Sequence, residues 1–276
     1  MAQGVPPDET VIFAKAREYT AGYIRGLPDF VCTAVTRRMN DDPGSRDQEI
    51  WNRFRLSDVL VGQLSYRYGK ESYVAKTSAG SSRSSGMGLT TAGEFGSISD
   101  ALFLPDTKAA IDWSHWETFG GRRAAVFRYS VAKVRSRFKV VVDGSLFDWF
   151  RFLRRGHPDE EALPPGMHGL TSVQVAYHGV LFVEPDSGAI LRVTRQALGL
   201  RSDFPVARMD TVVDYRPAEI GGRYYTLPAA SVTLSQTYRW VTTNQQVPRH
   251  LLNEVRFSDY HKFEAESVLI PGYVVP

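Results

Sequence analysis

Polar and apolar residues change period once, early in this chain. Between residues 8 and 26 they recur at helical spacing. Ile12, Ala16, Tyr19 and Tyr23 fall at i, i+4, i+7 and i+11, one stripe of a helix. Asp8 follows Pro6-Pro7 as a cap, Glu9 sits where the helix dipole favours an anion, and Gly26 with Pro28 ends the run. From residue 30 onward the pattern is that of strands, predicted over 30–39, 54–68, 72–78, 109–113, 115–119, 122–131 and 138–142. In the second half strands are predicted over 175–183, 189–197, 209–215, 219–227, 230–240, 251–260 and a short 266–270.

The stretch 173–197 is the clearest hairpin. Pro185 presets φ, Asp186 and Ser187 can bond their own backbone, and Gly188 supplies positive φ. Leu191 and Val193 are expected to face one way and Arg192 and Thr194 the other, so one side of the sheet is buried and the other meets water. Gly69-Lys70, Gly120-Gly121 and Gly221-Gly222 mark further turns between strands. A short helix is expected over 94–104, ending at Pro105, and the Gly/Ser-rich 79–93 reads as a flexible loop. Residues 143–171 interrupt the strands with a crowd of aromatics and arginines followed by an acidic, proline-rich run. There Trp149, Phe150 and Phe152 could form an amphipathic lid.

The elements predict one α+β domain spanning residues 1–276, mainly antiparallel β. One long helix would lie along a curved sheet of similar length, with one or two short helices beside it. Composition agrees with a packed globule: 43% hydrophobic and 23% charged residues. The formal charge of +3 is too small to imply a polyanion, and no nucleic-acid fold signature occurs, so no nucleic-acid partner is expected. The cations are 26 Arg against 7 Lys, and several, including Arg192, Arg195, Arg223, Arg239 and Arg256, lie on predicted strands as a solvated outer face. Cys32 is the only cysteine, so no disulfide can form within the chain; it sits in an apolar run as a small buried hydrophobe. No run of 18 apolar residues occurs, so no transmembrane helix is expected. The start, MAQGVPPDE, reads as a mature chain from which an export signal has been removed, which predicts a periplasmic or exported protein.

No catalytic signature emerges. The six histidines form neither H-x-H nor H-E-x-x-H, and no metal site or cofactor is expected. Ser130 and Lys133 match S-x-x-K, but on a predicted strand rather than at a helix start. A hydrolase built from loops, around His157, His168 and Glu160, stays as an alternative, as does an envelope protein-interaction or sensor module.

The helix before LPDFVCTAVTRR, the hairpin YHGVLFVEPDSGAILRVTR and the strands TVVDYRPAEIGGRYYTLP and NEVRFSDYHKFEAES together resemble the bacterial periplasmic lipoprotein-binding fold of LolA, LolB and the N-terminal part of RseB. They look most like uncharacterised secreted proteins of soil bacteria such as acidobacteria. The resemblance covers about residues 8–267 and is architectural: it implies a long curved sheet, an incomplete barrel, wrapped around the N-terminal helix. It implies a non-enzymatic carrier of a hydrophobic or amphiphilic ligand, an acyl chain, lipid or lipoprotein. Alternation then selects Leu64, Tyr66, Phe127, Tyr129, Leu181 and Val183 as lining residues.

Overall fold

The computed structural model describes residues 8–41, 54–79, 95, 101–143, 170–202, 204–242 and 245–263. Within them the chain runs α1 (Glu9–Gly26), β1 (Phe30–Asp41), β2 (Phe54–Arg67), β3 (Lys70–Ala79), β4 (Ala110–Phe119), β5 (Arg122–Val131) and β6 (Lys139–Asp143). It continues through β7 (Leu170–Gln174), β8 (Ala176–Val183), β9 (Ile190–Leu198), β10 (Val206–Ile220), β11 (Arg223–Thr242) and β12 (Gln245–Lys262). Of the predicted loop and lid, residues 80–93 and 144–169 lie outside the described residues, and with them Trp149, Phe150, Phe152, His157, Glu160 and His168; the strand at 266–270 lies outside too. Of the helix expected at 94–104, residues 101–103 are helical.

Ten strands make one antiparallel sheet in the order β3-β2-β1-β12-β11-β10-β9-β8-β5-β4. Among the described residues the sheet is not closed. The strand at 138–142 was expected to continue the meander from 122–131; instead β6 pairs with β7 in a separate two-stranded sheet and β5 passes its second edge to β8. The turn expected at Gly221-Gly222 is present and splits the run expected at 219–227 between two strands. Gly221 and Gly222 take positive φ of 58° and 81°, and the turn joins two strands of 15 and 20 residues.

Helix α1 starts where the sequence put it. Asp8 accepts from the Thr10 N–H at 2.8 Å, and the Leu27 N–H donates back to the Tyr23 carbonyl at 2.9 Å as the helix ends. Ile12 and Ala16 have no exposed surface, and Thr20 is buried with its hydroxyl donated to the Ala16 carbonyl at 2.9 Å. The β8–β9 turn seats the helix. A Cβ on Gly188 would stand 2.4 Å from the Lys15 carbonyl carbon, and Lys15 Nζ reaches the Pro185 carbonyl at 3.3 Å. Gly188 is therefore required twice, for a φ of 77° and for helix backbone against turn.

Three apolar clusters lie on the helix side. The first joins Ile12 and Ala16 to β5, β8, β9 and β10. The second joins Leu27 to β1, β2, β12 and the end of the β10–β11 hairpin. The third gathers β6 with Val206, Met209 and Leu251. The opposite face of β5 and β8 is also buried: Ala124, Val126 and Phe182 form a cluster of their own, with Leu191 against it. So these strands are covered on both faces, not one. Leu191 and Val193 also part company, since Val193 belongs to the helix-side cluster. The cause is a bulge: Phe182 pairs with Arg192 and Val183 with Ile190, leaving Leu191 as the extra residue that shifts the alternation by one.

Gly179 sits opposite Tyr129 in the β5–β8 ladder, and the tyrosine crosses it to donate to the Thr194 carbonyl at 2.5 Å. A Cβ there would lie 1.9 Å from that carbonyl oxygen. Gly179→Ala should therefore lower the unfolding free energy by at least about 2 kcal/mol, through overpacking and the lost hydrogen bond. Urea unfolding checks this, and an unchanged midpoint would contradict the crossing.

Candidate functional site

The six lining residues predicted from sequence are all buried and point to the helix side, but they do not form one group. Phe127, Tyr129, Leu181 and Val183 pack in the first cluster, while Leu64 and Tyr66 pack in the second, with Phe30 stacked on Tyr66 at 5.3 Å. Helix α1 joins the first through Ile12 and Ala16 and the second through Tyr23, with Leu27 just past its end.

Between the second and third clusters this face turns polar. The register places Thr211, Thr233, Asn253, Arg38 and Asp58 in one row across β10, β11, β12, β1 and β2. All but Arg38 are buried, and the Arg38 side chain is only 17% exposed. Thr211 and Thr233 share a hydrogen bond at 3.1 Å, and Arg38 clasps Asp58 with two, its Nε donating to Oδ1 at 2.7 Å. In the neighbouring row Ser231 stands between Val213 and Val255, buried, its hydroxyl without a hydrogen-bond partner among the described residues. Tyr23 of α1 is likewise buried at its hydroxyl without a partner among them, and burial together with the nearby Tyr215, Tyr66 and Tyr260 pushes its pKa well up. Such orphaned groups cost about 1–3 kcal/mol each unless water or a ligand meets them.

Arg195 was expected on the solvated face, yet it lies on the helix side with its guanidinium 3.7 Å from the centre of the Phe138 ring. It favours the ionised forms of Tyr129 and Tyr177, but burial outweighs it and both phenols are raised. A second crossing parallels the one at Gly179. The Tyr73 ring lies over Gly62, where a Cβ would come within 2.3 Å of it, and its hydroxyl bonds the Thr36 side chain. Glycine under tyrosine lets a phenol skip one strand and reach the next.

A groove of about 890 Å³ lies beside the β10–β11 turn and over the ends of β1, β2, β3 and β12. Glu219, Gly221 and Gly222 line it on one side, Val31, Gln63, Ser65 and Val74 on the other, with Tyr260, His261, Lys262 and Phe263 between them. Sequence reading missed it, because it depends on which strand ends meet.

The remaining chemistry is dispersed. His115 bridges Ser114 at 2.9 Å and Glu117 at 3.2 Å, but on an exposed strand. His178 bonds Gln196 at 2.6 Å, and His250 bonds Asp41 at 2.9 Å. Ser130 is the last residue but one of β5, and Lys133 opens a 3-10 turn rather than continuing the strand. Among the described residues no group of three or more His, Cys, Asp or Glu is placed to hold a metal, and no helix is long and apolar enough to cross a membrane. Comparison with protein-family models, with curated proteins and with solved structures gave no match.

Two outcomes follow from these environments. Cys32 is buried, and desolvation, helped by Glu71 and Asp259, pushes its thiol up to about 12. A thiolate is then scarce below that pH, so iodoacetamide at pH 8 should leave the folded protein unmodified and alkylate it once urea unfolds it. Rapid native labelling would refute this burial. Arg38→Met strands the buried Asp58 carboxylate and should destabilise by about 3 kcal/mol, whereas Arg38→Met with Asp58→Leu should recover most of that loss. Denaturation midpoints of both variants decide it.

Proposed function

We propose that this chain is a non-enzymatic binding protein of the cell envelope, exported to the periplasm or beyond. It would hold an amphiphilic ligand, an acyl chain, lipid or lipid-bearing protein, on the helix side of its sheet. In this reading the sheet curves around α1 as an incomplete barrel, in the manner of the LolA, LolB and RseB fold it resembles in sequence. The observation that carries the proposal is the mixed character of that face. Large apolar clusters flank a buried row of hydroxyl and amide groups, and the Ser231 and Tyr23 hydroxyls are left without a partner among the described residues. A core built only for stability would not leave such groups orphaned; an acyl ligand with a neutral polar head would satisfy them while its chain meets the aromatics. The unclosed sheet gives such a ligand a way in that does not require breaking a ladder.

Binding of 11-(dansylamino)undecanoic acid tests the proposal. Saturable fluorescence enhancement, displaced by oleate, is expected. Ser231→Ala and Tyr23→Phe should each weaken binding several-fold while holding or raising the melting temperature, since each removes an unpartnered buried hydroxyl. No saturable binding, or weaker binding that merely tracks lost stability, would defeat the reading.

A further inference from the structure

The groove beside the β10–β11 turn has its floor on the face of the sheet away from α1. Alternation puts it there. Phe30, Cys32, Leu64 and Tyr66 pack in the second helix-side cluster, so Val31, Gln63 and Ser65, set between and beside them, point the other way. The register then sets Val31 beside His261 and Ser65, and Gln63 beside Val74. Val31, Gln63 and Ser65 are half-buried, and Val74 is exposed. The turn forms the facing wall, where Gly221 and Gly222 carry no side chains. Lys262 runs past it, its Cδ 3.6 Å from where a Cβ on Gly221 would stand.

Exposed aromatic rings stand at its rim. The β2–β3 turn is Tyr68-Gly69, with φ of 51° and 75°, a geometry whose first position favours asparagine or glycine. A tyrosine in that left-handed backbone costs stability, and at 83% exposure its ring gains little packing in return. Asp29 holds the turn against the groove. Its carboxylate accepts from the Tyr68 N–H at 2.9 Å, and its carbonyl accepts from the Phe263 N–H at 2.9 Å. The Arg67 guanidinium lies over both rings, 4.1 Å from the centre of Phe263, which lines the groove, and 5.6 Å from that of Tyr68. By the opposite wall Tyr224 is the ladder partner of Glu219, so their side chains share a face, and Tyr224 is 74% exposed.

We infer that this groove binds a neutral oligosaccharide. A sugar ring presents C–H bonds on its faces and hydroxyls around its edge. It therefore needs flat apolar surfaces together with side chains that both donate and accept. Phe263, with Tyr68 and Tyr224 at the rim, supplies the first. Gln63, Ser65 and His261 supply the second, and Glu219 adds an acceptor and Lys262 donors. The formal charges of Glu219 and Lys262 cancel, so the lining offers an anionic ligand no excess of cations. A peptide strand finds no ladder to extend on this floor, because β1 and β2 are paired along both edges. There is room as well: about 890 Å³ falls within the roughly 300–1,000 Å³ of ligand pockets. The site is separate from the helix-side face, and its failure would leave the carrier reading standing.

An array of short linear oligosaccharides, probed with the intact protein, tests it. It carries neutral series of glucose, mannose, galactose, xylose and N-acetylglucosamine, with polygalacturonate fragments as the charged control. Binding to at least one neutral series is expected. In titration calorimetry its strongest member should bind about tenfold or more tighter than the corresponding monosaccharide. Tyr68→Gly should weaken that binding about tenfold while holding or raising the melting temperature, since glycine accepts a φ of 51°. Tyr224→Ala should weaken it too, whereas Tyr224→Phe keeps the ring and should bind like the parent protein. The inference is overturned if no neutral oligosaccharide binds or if only the charged control does. It is overturned equally if Tyr68→Gly and Tyr224→Ala, both folded, bind as tightly as the parent.

Discussion

The contact on which the rest depends is that between the α1 backbone at Lys15 and Ala16 and the turn at Gly188. It is closer than any side chain would allow. By fixing the helix there, it sends Ile12 and Ala16 into the cluster of β5, β8, β9 and β10 and carries Leu27 to the cluster of β1, β2 and β12. These strands stand far apart, β9 and β2 being separated by four strands of the sheet and by more than a hundred residues of chain. An open sheet has no barrel closure to hold its ends in relation; a helix packed along one face supplies a shared core instead.

The tyrosine crossings at Gly179 and Gly62 serve the same end on a smaller scale. Each phenol ties a strand to the next but one, through a gap that only glycine leaves. They stiffen two regions of the face without adding a loop or a disulfide, in a chain whose one cysteine is buried. The polar row from Thr211 to Asp58 is built differently. Its members satisfy one another where they can, as Arg38 and Asp58 do, while the neighbouring Ser231 hydroxyl is left over. Buried groups of this kind carry a penalty, and their persistence is what gives the face its amphiphilic character.

Between β11 and β12 the same logic is inverted. Instead of completing a ladder, the chain stops it, with Pro228 on one strand and a bulge at Asp259 and Tyr260 on the other. Free edges are ordinarily a hazard that proteins cover or charge. Here the Tyr260 side chain covers them, its hydroxyl donating to the Pro228 carbonyl at 2.5 Å.

Much of the frame was legible in the sequence. The helical stripe and its Asp8 cap, the strand at 122–131, the turn at Gly188 and the burial of Cys32 all follow from period, cap chemistry and φ preference, which act over a few neighbouring residues. What local signals could not supply was parity and partnership. One extra residue at Leu191 sent it to the opposite face from Val193; Arg195, read as solvated, came to lie on Phe138; and the six chosen lining residues divided between two clusters. A bulge depends on the strand across the ladder, and a cluster depends on which strands meet, so both are settled by contacts between residues distant in the chain. The sequence determined what each segment would be; the tertiary pairing decided which side it would face and where the ladder would end.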